Sequence, residues 1–135
     1  MTAPAVTLVR SERLAAAPYA YAALTAPGGL VLTAGACPLD AEGRTVAVGD
    51  VAGQARQVVA NLVVALEAAG VGLTDVARTT IYVASSRRED LGAVWDVVSA
   101  AFGDHDVPST LLGVAVLGYE DQLVEVEAVA VRRPA

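Results

Sequence analysis

The sequence predicts an α+β domain in which two helices cover one face of a sheet. Two long segments have apolar residues at helical spacing, and they alternate with short segments rich in Val, Ile, Thr and Leu. The resulting order, β-β-β-α-β-α-β-β, is typical of a layered α+β arrangement. Because 55% of the 135 residues are apolar, the chain can bury one core, and we predict a single domain over 1–135.

Three strands are predicted before the first helix, at Val6 to Arg10, Tyr19 to Thr25 and Leu30 to Ala34. The stretch Ala26-Pro27-Gly28-Gly29 separates the second strand from the third and predicts a hairpin turn. Asp40 to Arg44 predicts another turn, and the strand-like stretch Thr45 to Val48 follows it.

The first helix is predicted to begin after Asp50, whose side chain can cap it, and to stop at Gly70 in a left-handed conformation. Its apolar face consists of residues at helical spacing: Val51, Ala55, Val58, Val59, Leu62 and Leu66. The second helix is predicted from Arg88 to Phe102. Its inward-facing residues are expected to be Leu91, Val94, Trp95, Val98 and Ala101.

The remaining strands are predicted at Val76 to Val83, Ser109 to Val116 and Leu123 to Val131. In the last strand, one face carries Val124, Val126, Ala128 and Ala130, and the other carries Glu125, Glu127, Val129 and Val131. Two helices can cover only one of these largely apolar faces. At ~25 cal/mol per Å² of apolar area, leaving the other in water would cost several kcal/mol, so we expect an oligomer.

Composition excludes several classes of function. The formal net charge is −6, all nine basic residues are Arg, and there is no Lys for a Schiff base, a P-loop or a basic nucleic-acid patch. One Cys and one His cannot form a structural zinc site or an internal disulfide. The sequence has no signal-peptide or membrane-span pattern. We therefore expect a cytoplasmic protein with no metal, nucleic-acid or membrane partner.

In this order, the elements carry short motifs that together resemble the RidA (YjgF, reactive intermediate deaminase) family over roughly Leu14 to Arg133. The matching stretches are Ala17-Pro18-Tyr19, Leu32 to Gly35, Gln54 to Gln57, Asn61-Leu62, Glu67 to Gly70, Asp75-Val76, Thr79-Thr80 and Val124 to Val131. Each motif is short, and the resemblance depends on their occurring together and in sequence.

The resemblance implies a chorismate-mutase-like fold with a mixed six-stranded sheet, assembled as a homotrimeric barrel with clefts between subunits. It also implies that small enamines or imines are hydrolysed to ketones and ammonia without a cofactor. A ribonuclease activity is attached to the family by name. The negative charge, the absence of Lys and the few aromatic residues argue against that activity here, because phosphate neutralisation needs clustered cations.

The sequence departs from the family pattern where the family binds the substrate carboxylate. Family deaminases have an Arg directly before a Ser at the start of the penultimate strand, and we place Pro108, before Ser109, at that position. Pro has no side-chain donor, and losing one partner of such a pair costs roughly 2–5 kcal/mol. Trp95 replaces a family Asn and Ala36 a family Gln. We therefore expect an apolar pocket and a substrate that is less anionic or bulkier than a simple 2-imino acid.

Two residues are predicted to be catalytic on the basis of the resemblance. Glu125 matches the glutamate that orients the attacking water, and a carboxylate on a largely apolar face suits general-base work. The alternative is a solvated or ion-paired strand face formed with Glu127, which we expect to be structural. Tyr19 matches a cleft tyrosine, and its alternative is an amphipathic residue at a sheet edge.

Five further residues are predicted to contact the substrate: Ser109, Thr110, Trp95, Cys37 and Tyr119. Each has a structural alternative. The two hydroxyl residues would simply begin a strand, the Trp would pack in the core or an interface, the Cys would be a buried inert thiol, and the Tyr would be exposed in its loop. His105, the only imidazole, is expected to be a solvated loop residue.

Two classes of function remain open. One is a RidA-like enzyme that deaminates or otherwise processes a small enamine or imine. The other is a non-catalytic trimer that binds a small metabolite or acts as a scaffold.

Overall fold

The computed structural model describes residues 7–18, 20–25 and 28–134. The described residues form one mixed sheet and two helices, with a short 3-10 turn before the fourth strand. The elements are β1 (Thr7–Val9), β2 (Ala22–Leu24), β3 (Leu30–Thr33), α1 (Val51–Ala68), β4 (Val76–Val83), α2 (Arg88–Phe102), β5 (Ser109–Gly113) and β6 (Val124–Val131). The predicted α+β order is therefore confirmed.

The sheet has the strand order β1-β2-β3-β6-β4-β5. β4 and β5 pair in parallel, while the other neighbouring strands pair antiparallel. α2 makes the connection between the two parallel strands, which need a crossover rather than a hairpin. β6 consequently lies in the interior of the sheet, between β3 and β4.

The strict alternation of β6 determines how the two layers meet. Val124, Val126, Ala128 and Ala130 are at most 3% exposed and belong to the core under the helices. The alternate residues of β6 lie on the opposite face, which no helix covers. We call this opposite face the open face. Its exposed apolar side chains include Leu30 and Leu32, each 43% exposed, and Val131, 44% exposed.

Both predicted ends of α1 are confirmed. The Asp50 carboxylate accepts a hydrogen bond of 3.0 Å from the Gly53 N–H, which satisfies one of the unpaired donors of the first turn. Gly70 has a φ of +83°, the left-handed conformation that ends helices. The predicted apolar face is also the buried one, since Ala55, Val58 and Leu62 are fully buried.

The predicted bounds of α2 are confirmed, but two of its predicted inward residues are not buried. Trp95 is 38% exposed, and Ala101 is also exposed. The buried stripe runs through Val94, Val98 and Phe102. Trp95 and Ala101 lie at the margins of that stripe, where a helix packed on a sheet leaves part of its circumference in solvent.

Several strands are shorter than predicted. β5 ends at Gly113, and Thr45 to Val48 contributes only an isolated bridge between Thr45 and Leu39. The predicted hairpin is closed at its base, where the Thr25 N–H donates to the Leu30 carbonyl at 3.0 Å. Residues 19, 26 and 27, which include Tyr19 and part of the predicted turn, lie outside the described residues.

A buried amide ties α1 to the loop that leads into β6. Gln54 is fully buried, its Nε2 donates to the Asp121 carbonyl at 2.9 Å, and its Oε1 accepts from the Leu123 N–H at 2.7 Å. Both backbone groups would lose their partner if this amide were removed.

We predict that Gln54→Met lowers the free energy of unfolding by about 2–4 kcal/mol, because it leaves two backbone groups unsatisfied. Urea denaturation measures the change. Gln57→Met is the matched control, since the Gln57 amide is half-buried and, among the described residues, donates to the Asn61 side chain alone. Its effect should therefore stay below about 1 kcal/mol. Equal losses in the two variants would contradict this account.

Candidate functional site

The carboxylate of Glu125 is the centre of the site. Glu125 is half-buried on the open face of β6, where Oε1 accepts a hydrogen bond of 3.1 Å from Gln122 Nε2. The Cys37 Sγ lies 3.4 Å from the same oxygen. The other oxygen, Oε2, lies against Gly35 so closely that a Cβ at this position would overlap the carboxylate. A side chain at this position would therefore have to displace the carboxylate from where it lies.

Backbone pairing brings the segment after β3 to this carboxylate. The Ala36 N–H donates to the Val126 carbonyl at 2.7 Å, and the Val126 N–H returns a bond of 3.2 Å to Ala36. From the helix layer, the Asn61 side chain holds Cys37, because its Nδ2 donates to the Cys37 carbonyl at 2.8 Å. The short segment around Cys37 is thus fixed from both the sheet and α1.

Cys37 is a buried neutral thiol. Burial, followed by the charge of Glu125 and the hydrogen bond to that carboxylate, raises its pKa to about 12. A nucleophilic cysteine needs a thiolate, which this environment disfavours. The thiol is buried, as the structural alternative for Cys37 expected, while its lack of reactivity stays a prediction. The sequence did not predict its contact with Glu125.

Gln122 is the main residue of the site that the sequence analysis missed. It is 4% exposed, its Oε1 accepts from the Tyr119 N–H at 3.0 Å, and its Nε2 donates to the Val124 carbonyl at 3.1 Å as well as to Glu125. A single Gln in a loop gives no periodic signal. Only the folded loop shows that its amide connects Glu125 to the backbone.

Two tyrosines lie next to this cluster. The Tyr21 hydroxyl donates to the Ala15 carbonyl, and burial, followed by the influence of Tyr119 and Cys37, raises the pKa of Tyr21. A cavity of about 20 Å³, the volume of a single water-sized site, lies between Tyr21, Cys37 and α1. Tyr119 is half-buried beside the site, and its contact with substrate stays a prediction.

The Endoribonuclease L-PSP family model matches residues 10–132, nearly the whole chain. The chain belongs to this family, the RidA/YjgF family. A Salmonella typhimurium relative named 2-iminobutanoate/2-iminopropanoate deaminase is 36% identical over 109 residues, 78% of this chain and 82% of that protein. The RutC family protein PH0854 of Pyrococcus horikoshii is 32% identical over 110 residues, 82% of this chain and 85% of that protein.

Solved structures of RidA/YjgF proteins have the same fold. The YjgF gene product of Escherichia coli superposes with a TM-score of 0.80 at 32% identity, covering 94% of this chain and 99% of that one. The yeast protein YEO7 superposes with a TM-score of 0.84 at 27% identity, covering 95% and 99%. The six-stranded mixed sheet with two helices is therefore the family fold.

A second group of predicted residues lies at the β5 edge, away from Glu125. The Ser109 Oγ is 2.6 Å from the Thr79 Oγ1, which is fully buried on the helix side of the sheet. Trp95 and Ser109 line a cavity of about 210 Å³ on that side. Thr110 instead lies on the open face, where its hydroxyl accepts a bond of 3.2 Å from Arg78.

The predicted residues therefore form two groups within one chain. Glu125, Cys37 and Tyr119 lie together at one end of β6, whereas Ser109, Thr110 and Trp95 lie at the β5 edge. β4 separates β6 from β5, and the register places Ser109 level with Ala128, three residues along β6 from Glu125. Ser109 is therefore about 10 Å from Glu125 across the strands and about 10 Å along them, roughly 14 Å in all. Ser109 and Trp95 also lie on the opposite side of the sheet from Glu125.

The structure also shows the surroundings of His105 and Pro108. His105 is not a solvated loop residue, because it is half-buried with its Nε2 2.7 Å from the Val76 carbonyl and its ring against Phe102. Pro108 is exposed directly before β5, and its carbonyl accepts from the Thr79 N–H at 3.0 Å.

Glu127, two residues along β6 from Glu125, has a different environment. It accepts a hydrogen bond of 2.7 Å from the Tyr82 hydroxyl, and this bond is the main cause of the raised pKa of Tyr82. Glu127 and Arg78 line a groove of about 240 Å³ on the open face. The contact with Tyr82 is consistent with the structural role expected for Glu127.

Among the described residues, no three or more His, Cys, Asp or Glu side chains lie together so that they could hold a metal ion. Within the same part of the chain, no helix is both long and apolar enough to cross a membrane.

We predict that alkylation of Cys37 by iodoacetamide stays slow up to pH 9, where a pKa of about 12 leaves about one thiol in a thousand ionised. In Glu125→Gln the carboxylate charge is gone, so the thiol pKa should fall and alkylation should start at lower pH. Burial remains, so the pKa should stay above 9, the ordinary value for a thiol.

Glu127→Gln is the control for this titration, because Glu127 does not contribute to the pKa of Cys37. Its alkylation profile should match that of the unmodified sequence. A pH profile that does not change in Glu125→Gln would contradict the contact between the thiol and the carboxylate.

Proposed function

We propose that the chain is a RidA-like enzyme that hydrolyses the C=N bond of a small imine, or of an enamine that tautomerises to one, to give a ketone and ammonia. The observation that carries the proposal is the Glu125 carboxylate, held on the open face over Gly35 by Gln122 and Cys37. The deaminase names of the relatives support the same class of chemistry. Glu125 is proposed as the general base.

In this mechanism Glu125 accepts a proton from a water molecule while the water oxygen bonds to the imine carbon. The former imine nitrogen takes up the proton that Glu125 received, which gives a neutral carbinolamine and restores the carboxylate. The hydroxyl proton is then transferred to the amino group as the C–N bond breaks, so that ammonia leaves and the ketone forms. One imine and one water are consumed for each ketone and ammonia, so no cofactor is proposed.

We further propose that the cleft is completed by another copy of the chain in a homotrimer. The exposed apolar residues of the open face support this, because burying them would recover several kcal/mol at ~25 cal/mol per Å². The homotrimer is also supported by the distance between Glu125 and the Ser109 and Trp95 pair within one chain. A second copy could bring its Ser109 and Trp95 edge to the Glu125 of the first.

The proposed substrate is less anionic or bulkier than a simple 2-imino acid. Among the described residues, the side chains that donate hydrogen bonds to Glu125 are those of Cys37 and Gln122. Both are neutral, and neither offers a guanidinium for a bidentate contact with a carboxylate. Trp95, partly exposed at the β5 edge, would add an apolar wall. Tyr19 remains the proposed residue for holding the polar group of the substrate.

We predict that Glu125→Gln lowers ammonia release from an imine substrate by about 10²- to 10⁴-fold, because the amide cannot accept the proton from water. Glu127→Gln makes the same chemical change on the same face of β6, and this variant should retain most of the activity. The assay supplies freshly generated 2-iminopropanoate and a panel of bulkier and neutral imines. We expect the panel to be turned over faster than 2-iminopropanoate.

Two outcomes of this assay contradict the proposal. If Glu125→Gln and Glu127→Gln retain equal activity, Glu125 is not the base. If no imine of the panel is turned over faster than in buffer, while small carbonyl compounds still bind, the chain is a non-catalytic metabolite-binding protein.

We predict that light scattering gives the mass of three chains of 13.7 kDa each. Leu32→Asp should reduce the assembly to smaller species, because it places a charge on the open face where Leu32 is 43% exposed. Val48→Asp is the control, since Val48 is exposed in the turn before α1, and this variant should stay assembled. A folded single chain at working concentration would contradict the proposed trimer.

A further inference from the structure

The two oxygens of Glu125 have different surroundings. Both described donors, the Gln122 amide at 3.1 Å and the Cys37 thiol at 3.4 Å, reach Oε1. Oε2 lies against Gly35 and receives no hydrogen bond from the described residues. The carboxylate is therefore asymmetric before any substrate binds.

The backbone fixes the orientation of the Gln122 amide. Its Oε1 must face the Tyr119 N–H, which can only donate, so its NH₂ group faces Glu125 and the Val124 carbonyl. The side chain is 4% exposed, so water cannot easily replace these partners. The donor to Glu125 is thus held in place by two backbone groups.

The thiol proton of Cys37 has two acceptors within reach, the Gly35 carbonyl and Glu125 Oε1, each at 3.4 Å. An ionised carboxylate is the stronger acceptor, so the S–H group points to Glu125 when that side chain is charged. The raised pKa of Cys37 keeps the thiol protonated and therefore able to donate.

We infer that Gln122 and Cys37 are positioning residues that occupy Oε1 of Glu125 and so make Oε2 the oxygen that takes the proton from the attacking water. An oxygen that already accepts two hydrogen bonds is the weaker base, so the proton goes to the other. Gly35 has no side chain to cover Oε2. This inference rests on the proposed role of Glu125 and adds which oxygen acts and what selects it.

The test is the ¹³C NMR chemical shift of the Glu125 carboxyl at one fixed pH, assigned with Glu125→Gln. Cys37→Ala and Gln122→Met each remove a donor to the charged carboxylate, so each should move this resonance. Cys37→Ser retains a donor and should keep a chemical shift close to the original. The same donor-removing variants should lower kcat about 10- to 100-fold with little change in KM.

The charged and titratable groups near Glu125 are Cys37 after β3, Tyr82 on β4 and Glu127 on β6, with Tyr21 and Tyr119 beside the thiol. Glu127 is the other carboxyl on β6, and Glu127→Gln identifies its signal. Tyr82→Phe is the control, because that hydroxyl donates to Glu127 rather than to Glu125, so its loss should leave the Glu125 chemical shift unchanged.

An unchanged carboxyl chemical shift in Cys37→Ala and Gln122→Met would overturn the inference, whether or not the protein deaminates imines. A changed chemical shift without turnover of any imine would support the hydrogen-bond arrangement and overturn the proposed function instead. Because Gln122 also holds the loop before β6, its substitution could prevent folding. In that case the comparison of Cys37→Ala, which removes the donor, with Cys37→Ser, which retains one, tests the inference.

Discussion

The alternation of side chains along β6 is the constraint on which the other features depend. One set of residues, ending with Ala128 and Ala130, is buried in the core on the helix side of the sheet, and this burial fixes the register of the strand. The same register places Glu125 and Glu127 on the open face. A slip of one residue would bury both carboxylates and expose the core. The stability of the fold and the position of the proposed base therefore depend on the same register of β6.

Much of the fold could be predicted because its signals are local. The Asp50 cap, the Gly70 stop and the alternation of β6 each arise within a few residues, and all three are present in the structure. The motifs of the RidA/YjgF family could also be recognised, and the family model confirms them. The burial of Trp95 was predicted wrongly, because helical period alone does not tell where a packed face ends.

The site could be predicted only in part, because its contacts join distant segments. Glu125 was predicted from the resemblance, yet its partners Gln122 and Cys37 reach it through a loop and through the pairing of Ala36 with Val126. These contacts have no periodic signature. The same is true of His105, whose half-buried position depends on a carbonyl of β4. Sequence patterns show which faces are apolar, but not which polar groups meet.

The central claim is that Glu125 of one copy and the β5 edge of another form one reaction site. A crystal structure of the protein soaked with a small ketone product tests it most directly. We expect the ketone oxygen or a bridging water within about 3 Å of Glu125 Oε2, with Ser109 or Trp95 of a neighbouring copy against the ligand. A ligand enclosed by one chain and remote from Glu125 would contradict the account.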